Sequence, residues 1–384
     1  MIAQYKENGE DTAIIDEITN TIRNSLNTWY GKGSSLEAET PEIRSYRNSF
    51  ILRYPVNSTD AGRKTILVKI RRNPKMDSLH QAVQSDIHQN IPTEYQSLQF
   101  VYGKLAHMDQ DFGAIRPLAY MEKYYAIVME EFPSRTLRQL LVDQRTSKRP
   151  EAMDQLRDAA RKTGRWLHYF HNQIHIPFEK QYTTADILKE IQSYGDRLES
   201  FSRRRVRSRR LVDAFAREME HIHIDRVTFT QSHADMTCDN VLYSPDKRVC
   251  IIDIKTRPAP IYADLGLILI HPETSKPQIF SRGTYYPESL LREYRAEITA
   301  GYCDERPIDD VLIRVYSAMK VLDKWLMYEE LMNRYKGVKH LLAYPIAPFV
   351  TAYFQKLLKK HLELIHSAKP ERALEGAHKA DRSA

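Results

Sequence analysis

Cysteine is scarce in this 384-residue chain: Cys238, Cys250 and Cys303 are odd in number and show no metal-ligand spacing. That excludes a disulfide framework and a cysteine-based zinc site, and it fits a reducing, cytoplasmic setting. Long apolar runs are also missing, and none approaches the roughly 18 to 20 residues that a bilayer-spanning helix needs. The first residues, Met1-Ile2-Ala3-Gln4-Tyr5-Lys6-Glu7, lack the basic and then apolar profile of a secretory signal. No internal repeat or low-complexity segment stands out. What is present is the mixture of a soluble globular protein, 42% hydrophobic and 28% charged, long enough to divide into two lobes.

The formal net charge of +7 favours anionic partners. Much of the excess lies in Arg203-Arg204-Arg205-Val206-Arg207-Ser208-Arg209-Arg210, six arginines in eight positions. The run reads either as a solvated helix face, since Leu211, Phe215 and Met219 continue it at helical spacing, or as a patch for an anionic surface, with peripheral membrane contact as one form. Little aromatic interleaving accompanies it, which argues against specific nucleic-acid reading.

Periodicity divides the chain into four parts. Residues 1–40 read as an N-terminal helical appendage, because Ile14, Ile15, Ile18, Ile22, Leu26 and Trp29 recur at three and four residues. Residues 41–131 read as strands at 49–54 and 64–70, a helix with Pro92 in its first turn and Tyr95, Leu98, Tyr102 and Leu105 on one stripe, then strands at 114–120 and 125–131. Residues 132–366 are mostly helical, and 367–384 read as a disordered tail.

The densest signal is Ser232-His233-Ala234-Asp235-Met236-Thr237-Cys238-Asp239-Asn240-Val241-Leu242, followed by the apolar Val249-Cys250-Ile251-Ile252 and then Asp253. A strand leads in at 227–230, and a turn through Ser244-Pro245-Asp246-Lys247 makes a hairpin. Transfer of a phosphoryl group from ATP needs one carboxylate to orient and deprotonate a hydroxyl, and an amide and a second carboxylate to hold Mg²⁺ on the phosphates. Asp235, Asn240 and Asp253 supply those groups in that order. For Asp253 the bland alternative is a strand-end cap. His233 reads as a brace for the loop, and Asp264, before an apolar helix, as an acceptor of backbone N–H bonds from a neighbouring loop. Lys69 in its β-branched strand can neutralise phosphate oxygens, with Glu94 as its ion pair. The strand end at Met129-Glu130-Glu131-Phe132 suits an inter-lobe hinge where backbone near Glu130 and Phe132 meets adenine. Cys238 is a reactive thiol or, more commonly for such a position, a small filler.

Together these residues resemble the aminoglycoside phosphotransferase and choline kinase-like family, which shares the protein-kinase fold. The likeness spans about residues 42 to 335. It includes Lys69, Glu94-Tyr95-x-x-Leu98, the hinge with Thr136-Leu137, Trp166-Leu167-His168-Tyr169-Phe170-His171, the hairpin, Asp264-Leu265 and Gly301-Tyr302. The resemblance implies an α+β, two-lobed, protein-kinase-like fold: a small antiparallel-sheet N-lobe of five strands with one main helix, and a mostly helical C-lobe. It implies Asp235 as catalytic base, Asn240 and Asp253 as Mg²⁺ ligands and Lys69 as phosphate clamp, with ATP or GTP as donor.

Three departures qualify it. No Gly-x-Gly-x-x-Gly occurs, Leu67 stands where a small residue usually contacts adenine, and Asp253 is followed by Ile254-Lys255 where the family often has an aromatic and then an acidic residue. A protein kinase is disfavoured: only ten residues separate Asp253 from Asp264, no Ala-Pro-Glu follows, and Thr237 replaces the lysine that such enzymes place two residues after the catalytic aspartate. The expectation is an ATP- and Mg²⁺-dependent small-molecule kinase acting on a hydroxyl of a small molecule or glycan, with a neutral or anionic, even lipid-linked, acceptor fitting the basic balance. The rivals are a non-catalytic nucleotide-binding scaffold and a nucleotidyltransferase on the same fold.

Overall fold

The computed structural model describes residues 3–4, 9–59, 62–85, 91–105, 111–147, 149–201, 205–303, 308–334 and 346–380, with the side chains of 3–4, 205–207, 334 and 369–380 excepted. The chain forms two compact units, Met1–Ser134 with Ser244–Ile254, and Arg135–Tyr243 with Lys255–Ala384.

The first unit is built on two long antiparallel strands, β4 (Ser49–Ser58) and β5 (Gly62–Arg71). Side chains alternate along each, and the register sets Leu52 opposite Val68 and Tyr54 opposite Ile66. One face therefore carries Phe50, Leu52, Tyr54, Val56, Ile66, Val68 and Ile70, all buried. Onto this face packs α1 (Gly9–Tyr30), which buries Ile14, Ile15, Ile18, Ile22 and Leu26 in the same core. Each such side chain contributes about 1.5–3 kcal/mol. Thr19 and Tyr54 join across the contact by a 3.1 Å hydroxyl pair, and buried Asp11 accepts the His80 N–H at 2.8 Å in the first turn of α2 (Leu79–Val83). The amphipathic spacing predicts this helix. Its place as part of the sheet's core, rather than an appendage, comes from the tertiary packing.

The full sheet has seven strands, not five. Its order is β1 (Ala3–Gln4), β3 (Glu42–Ser45), β4, β5, β7 (Ala126–Glu130) and β6 (Pro117–Met121), with β2 (Ser35–Leu36) paired to β4. The odd-numbered residues Leu67, Lys69 and Arg71 lie on the face away from α1, as strand alternation requires. The unit's one long helix besides α1 is α3 (Ile91–Leu105). Its buried side chains are Ile91, Val101 and Leu105, with Tyr95, Leu98 and Tyr102 half-buried.

The second unit is helical. β8 (Arg135–Thr136) opens into α4 (Leu137–Ser147) and α5 (Pro150–Tyr169), the last ending in a π-helical turn over Phe170–Ile174. After β9 (Phe178–Gln181), the basic stretch forms two helices, α6 (Thr184–Phe201) and α7 (Arg205–Glu220). Three further strands follow: β10 (Arg226–Ser232) lies between β9 and β13 (Arg257–Pro260), and β11 (Val241–Tyr243) pairs with β8. Then come α8 (Ile261–Ile270), α9 (Lys276–Phe280), α10 (Glu288–Cys303), α11 (Asp310–Arg334) and α12 (Ala347–Ala380). α5 and α10 cross at two glycines: a Cβ on Gly301 would lie 2.0 Å from the Arg161 carbonyl, and one on Gly164 2.1 Å from the Ile298 carbonyl. Any side chain there would force the backbones apart.

One further expectation differs from the structure. Residues 367–380, read as a disordered tail, continue α12; their alanine, glutamate, lysine and leucine content favours helix. Both strands of the expected hairpin form. β12 (Val249–Ile251) is counted with the first unit, where Val249 N–H donates to the Asp111 carbonyl at 2.9 Å and the Val249 carbonyl accepts from Gly113 N–H at 2.8 Å. Among the described residues no helix is long and apolar enough to cross a membrane.

Candidate functional site

In the first unit β5 places Lys69 on the face away from α1, where its Nζ donates to Glu94 Oε1 at 2.8 Å and also pairs with Asp253. Glu94, in the first turn of α3, is shared with Arg71, whose Nε donates to Oε2 at 2.9 Å. Burial disfavours the Lys69 ammonium, but the Asp253 and Glu94 carboxylates outweigh it and raise the pKa. The lysine is therefore a fixed cation at neutral pH. Asp253 adopts the left-handed conformation, φ 58°, immediately after the run of apolar residues at 249–252. A non-glycine residue in that region is uncommon and marks a backbone held to aim its side chain. Arg71 was absent from the sequence reasoning, yet strand alternation from Lys69 is enough to find it.

At the hinge the structure is more restrictive than expected. The Glu130 N–H donates to the Arg116 carbonyl at 2.9 Å, and the Glu131 N–H to the Thr65 carbonyl at 2.8 Å. The Glu130 carboxylate takes Lys64 at 2.8 Å, Arg116 at 3.6 Å and the Tyr30 hydroxyl at 3.3 Å. The Glu130 N–H and carboxylate are thus engaged within the sheet and by the end of α1. Phe132, one residue past that pairing, makes no such ladder bond. Its ring lies against Gly113, where a Cβ would meet it at 2.4 Å, and Arg248 stacks on it at 5.6 Å. A cavity of about 330 Å³ opens here, with Tyr30, Tyr102, Phe112, Arg116, Phe132 and Arg248 on its walls. Lys69 is not on those walls.

In the second unit the loop 232–240 is fixed by Asp264. Its Oδ2 accepts the His233 N–H at 2.6 Å and its Oδ1 the Ala234 N–H at 3.0 Å, with Ala234 at φ 66°. Behind it, His171 Nε2 lies 3.1 Å from Asp264 Oδ2 and Nδ1 lies 2.9 Å from the Tyr302 hydroxyl. This is why residues 166–171 and Gly301-Tyr302 belong to one pattern: the close α5–α10 crossing brings them together. Burial pushes the Asp264 carboxyl up, but side-chain hydrogen bonds from His171 and Ser232 hold it well below the usual range. His233 is buried, and its Nδ1 accepts the Asp235 N–H at 3.2 Å, the geometry of a brace. Neither the His171 nor the Tyr302 role is visible from local sequence, since the partners lie 93 and 131 residues from His171.

Asp235 itself is open, its side chain 38% exposed, and its Oδ2 accepts from Lys255 Nζ at 2.9 Å. The Asn240 amide nitrogen donates to the Asp235 carbonyl at 2.9 Å. Cys238 is buried against the Tyr294 hydroxyl at 3.3 Å, and burial pushes its thiol up to about 12. It is a filler, not a nucleophile. His271, held by burial and then Arg138 and Lys324 down to about 3, accepts the Cys238 N–H at 3.2 Å as a neutral ring.

Of the arginine run, Arg203 and Arg204 lie outside the described residues, as do the side chains of Arg205 and Arg207. Arg209 pairs with Asp196 at 2.9 Å and Asp213 at 3.0 Å.

The donor set can be tested against a hard divalent cation. Mg²⁺ is normally held by one or two carboxylates plus substrate phosphates rather than by a protein cage. Among the described residues no group of three or more His, Cys, Asp or Glu forms such a cage. Asp253 is half-exposed and offers a carboxylate in the first unit, and Asn240 offers an amide oxygen in the second.

No protein-family model matches this sequence, and no curated protein matches it either. Solved structures do. A glucosamine kinase is 13% identical with a TM-score of 0.52, covering 96% of this chain and 86% of its own. A choline kinase from Cryptosporidium parvum Iowa II is 13% identical with a TM-score of 0.50, covering 94% and 98%. The chain shares its fold, an antiparallel N-terminal sheet and a helical remainder, with these two kinases.

Proposed function

We propose that this chain is an ATP- and Mg²⁺-dependent phosphotransferase that moves the γ-phosphate to a hydroxyl of a small molecule or glycan. The observation that carries the reading is the fixed Lys69 ammonium, held between Glu94 and Asp253 on one strand. An ion-paired lysine of this kind is what a phosphate clamp requires. In this reading Asp235 orients the acceptor hydroxyl and accepts its proton. The acceptor oxygen bonds to the γ-phosphorus, the bond to the β,γ-bridging oxygen breaks, and the nucleoside diphosphate leaves. Lys69 binds phosphate oxygens, and His233 and Asp264 keep Asp235 in place. Asp253 and Asn240 would hold Mg²⁺, which neutralises phosphate charge when bound. Positioning and electrostatics supply most of the rate.

The acceptor this reading favours is neutral or anionic, because a lysine rather than a second carboxylate stands beside Asp235. Release of ADP, or of GDP from GTP, across a panel of sugars, sugar acids and amino alcohols tests it. Turnover in the wild type and its loss in Asp235→Asn, with nucleotide binding kept, support the reading. One observation favours a second reading, a nucleotide-binding scaffold: the same Lys255 ion pair engages Asp235. A scaffold shows no diphosphate release with any acceptor. AMP as the product would instead indicate nucleotidyl transfer.

A further inference from the structure

Lys255 is the residue at which this chain departs most from the pattern it otherwise resembles, and it is also the one bonded to the proposed base. Its Nζ is 2.9 Å from Asp235 Oδ2, and its backbone N–H donates to the His233 carbonyl at 3.1 Å. The second bond ties the lysine backbone to the loop that carries Asp235, so the two side chains keep their register. The pair is open, with 50% of the lysine side chain and 38% of the aspartate side chain exposed. An exposed pair of that kind is worth about 0–1 kcal/mol, too little to account for it as a support of the fold.

The loop 232–240 contains no lysine or arginine; Thr237 stands two residues after Asp235. A transferring phosphoryl group nevertheless spreads negative charge over three equatorial oxygens. At the moment of transfer the acceptor oxygen is hydrogen-bonded to Asp235 and bonding to the phosphorus. A flexible ammonium that rests on the same carboxylate can therefore swing to the phosphoryl oxygens without leaving the site. An ammonium has three donors, and one donated to Asp235 leaves two.

We propose that Lys255 is a further catalytic residue, whose ammonium rests on Asp235 and contacts the γ-phosphoryl group as it transfers, supplying the cation that the loop lacks. This rests on the phosphotransferase reading.

The test is calorimetric titration of the full chain with Mg²⁺ and either ADP or a non-hydrolysable ATP analogue, on wild type, Lys255→Met and Lys255→Arg. We expect Lys255→Met to weaken the triphosphate about tenfold or more, the loss of one hydrogen bond to a charged group, while ADP binding changes less than about twofold. Lys255→Arg should recover part of the difference and also serves if the methionine variant folds poorly. Equal affinities in wild type and both variants, or an equal loss for both nucleotides, would overturn the assignment and leave Lys255 as a partner of Asp235 alone. No binding of either nucleotide to the wild type would remove the phosphotransferase reading first, and the role of Lys255 with it.

Discussion

Two aspartates of the larger unit, Asp264 and Asp235, serve the same loop and differ in almost everything else. Asp264 is buried, and its oxygens are taken by the His233 and Ala234 N–H groups and by His171. Asp235 is open, and its Oδ2 accepts from the Lys255 ammonium. A carboxylate bonded on both oxygens in a dry site fixes geometry. An open carboxylate on a fixed backbone can receive a proton. Charge alone does not separate a support from a reactive group; exposure and remaining hydrogen-bond capacity do.

Removing each carboxylate should break the comparison in opposite ways. Asp264→Ala leaves two buried N–H groups and His171 without their acceptor, and should cost about 3–5 kcal/mol of stability, read by denaturant unfolding, with activity lost alongside. Asp235→Asn should leave stability and nucleotide affinity nearly unchanged while turnover falls by about 10²- to 10⁴-fold, the usual range for a general base. A stable Asp264→Ala, or an unfolded Asp235→Asn, would reverse the assignment.

The pH dependence sharpens the same contrast. The Asp264 pKa is depressed in the folded state despite its burial, because side-chain hydrogen bonds from His171 and Ser232 favour the carboxylate. Its contribution is therefore fully present above the unfolded aspartate value of about 3.9, and is lost as pH falls toward the lower folded value. Acid unfolding of the wild type should set in below about pH 4, and Asp264→Asn should flatten stability against pH in that window.

A smaller effect is expected at the helix crossing. Gly301→Ala forces a methyl group onto the Arg161 carbonyl and should destabilise by about 1–3 kcal/mol, lowering the melting temperature without changing nucleotide specificity. The smallest belongs to Arg209→Ala, whose pairs with Asp196 and Asp213 are solvent-screened. Its unfolding midpoint should stay within the effect of about 0.5 kcal/mol.

Much of this architecture can be read from residue order because it depends on local rules. Alternation predicts β4 and β5, and the spacing of Asp235, Asn240 and Asp253 marks a chemistry before any fold is known. What cannot be read depends on distant partners. The α1 stripe specifies an apolar face but not what covers it, and only the Phe50, Val68 and Ile70 side of the sheet settles that. Glu130 looks like a hinge residue because it ends a strand. Its N–H and carboxylate prove to be used by Arg116, Lys64 and Tyr30, contacts set by sheet order rather than by its neighbours in sequence. The His171–Asp264–Tyr302 set draws on α5, α8 and α10, and no local pattern joins them.

The most direct test of the central claim is a thermal-shift titration of the wild type and Asp253→Ala with ATP or GTP, with and without Mg²⁺. Ligand that binds only the native state stabilises it by about 2.7 kcal/mol at a hundredfold excess over its dissociation constant. The account predicts a Mg²⁺-dependent rise in the wild-type midpoint that Asp253→Ala loses. An unchanged midpoint at millimolar nucleotide, or an equal rise in both proteins, would contradict it.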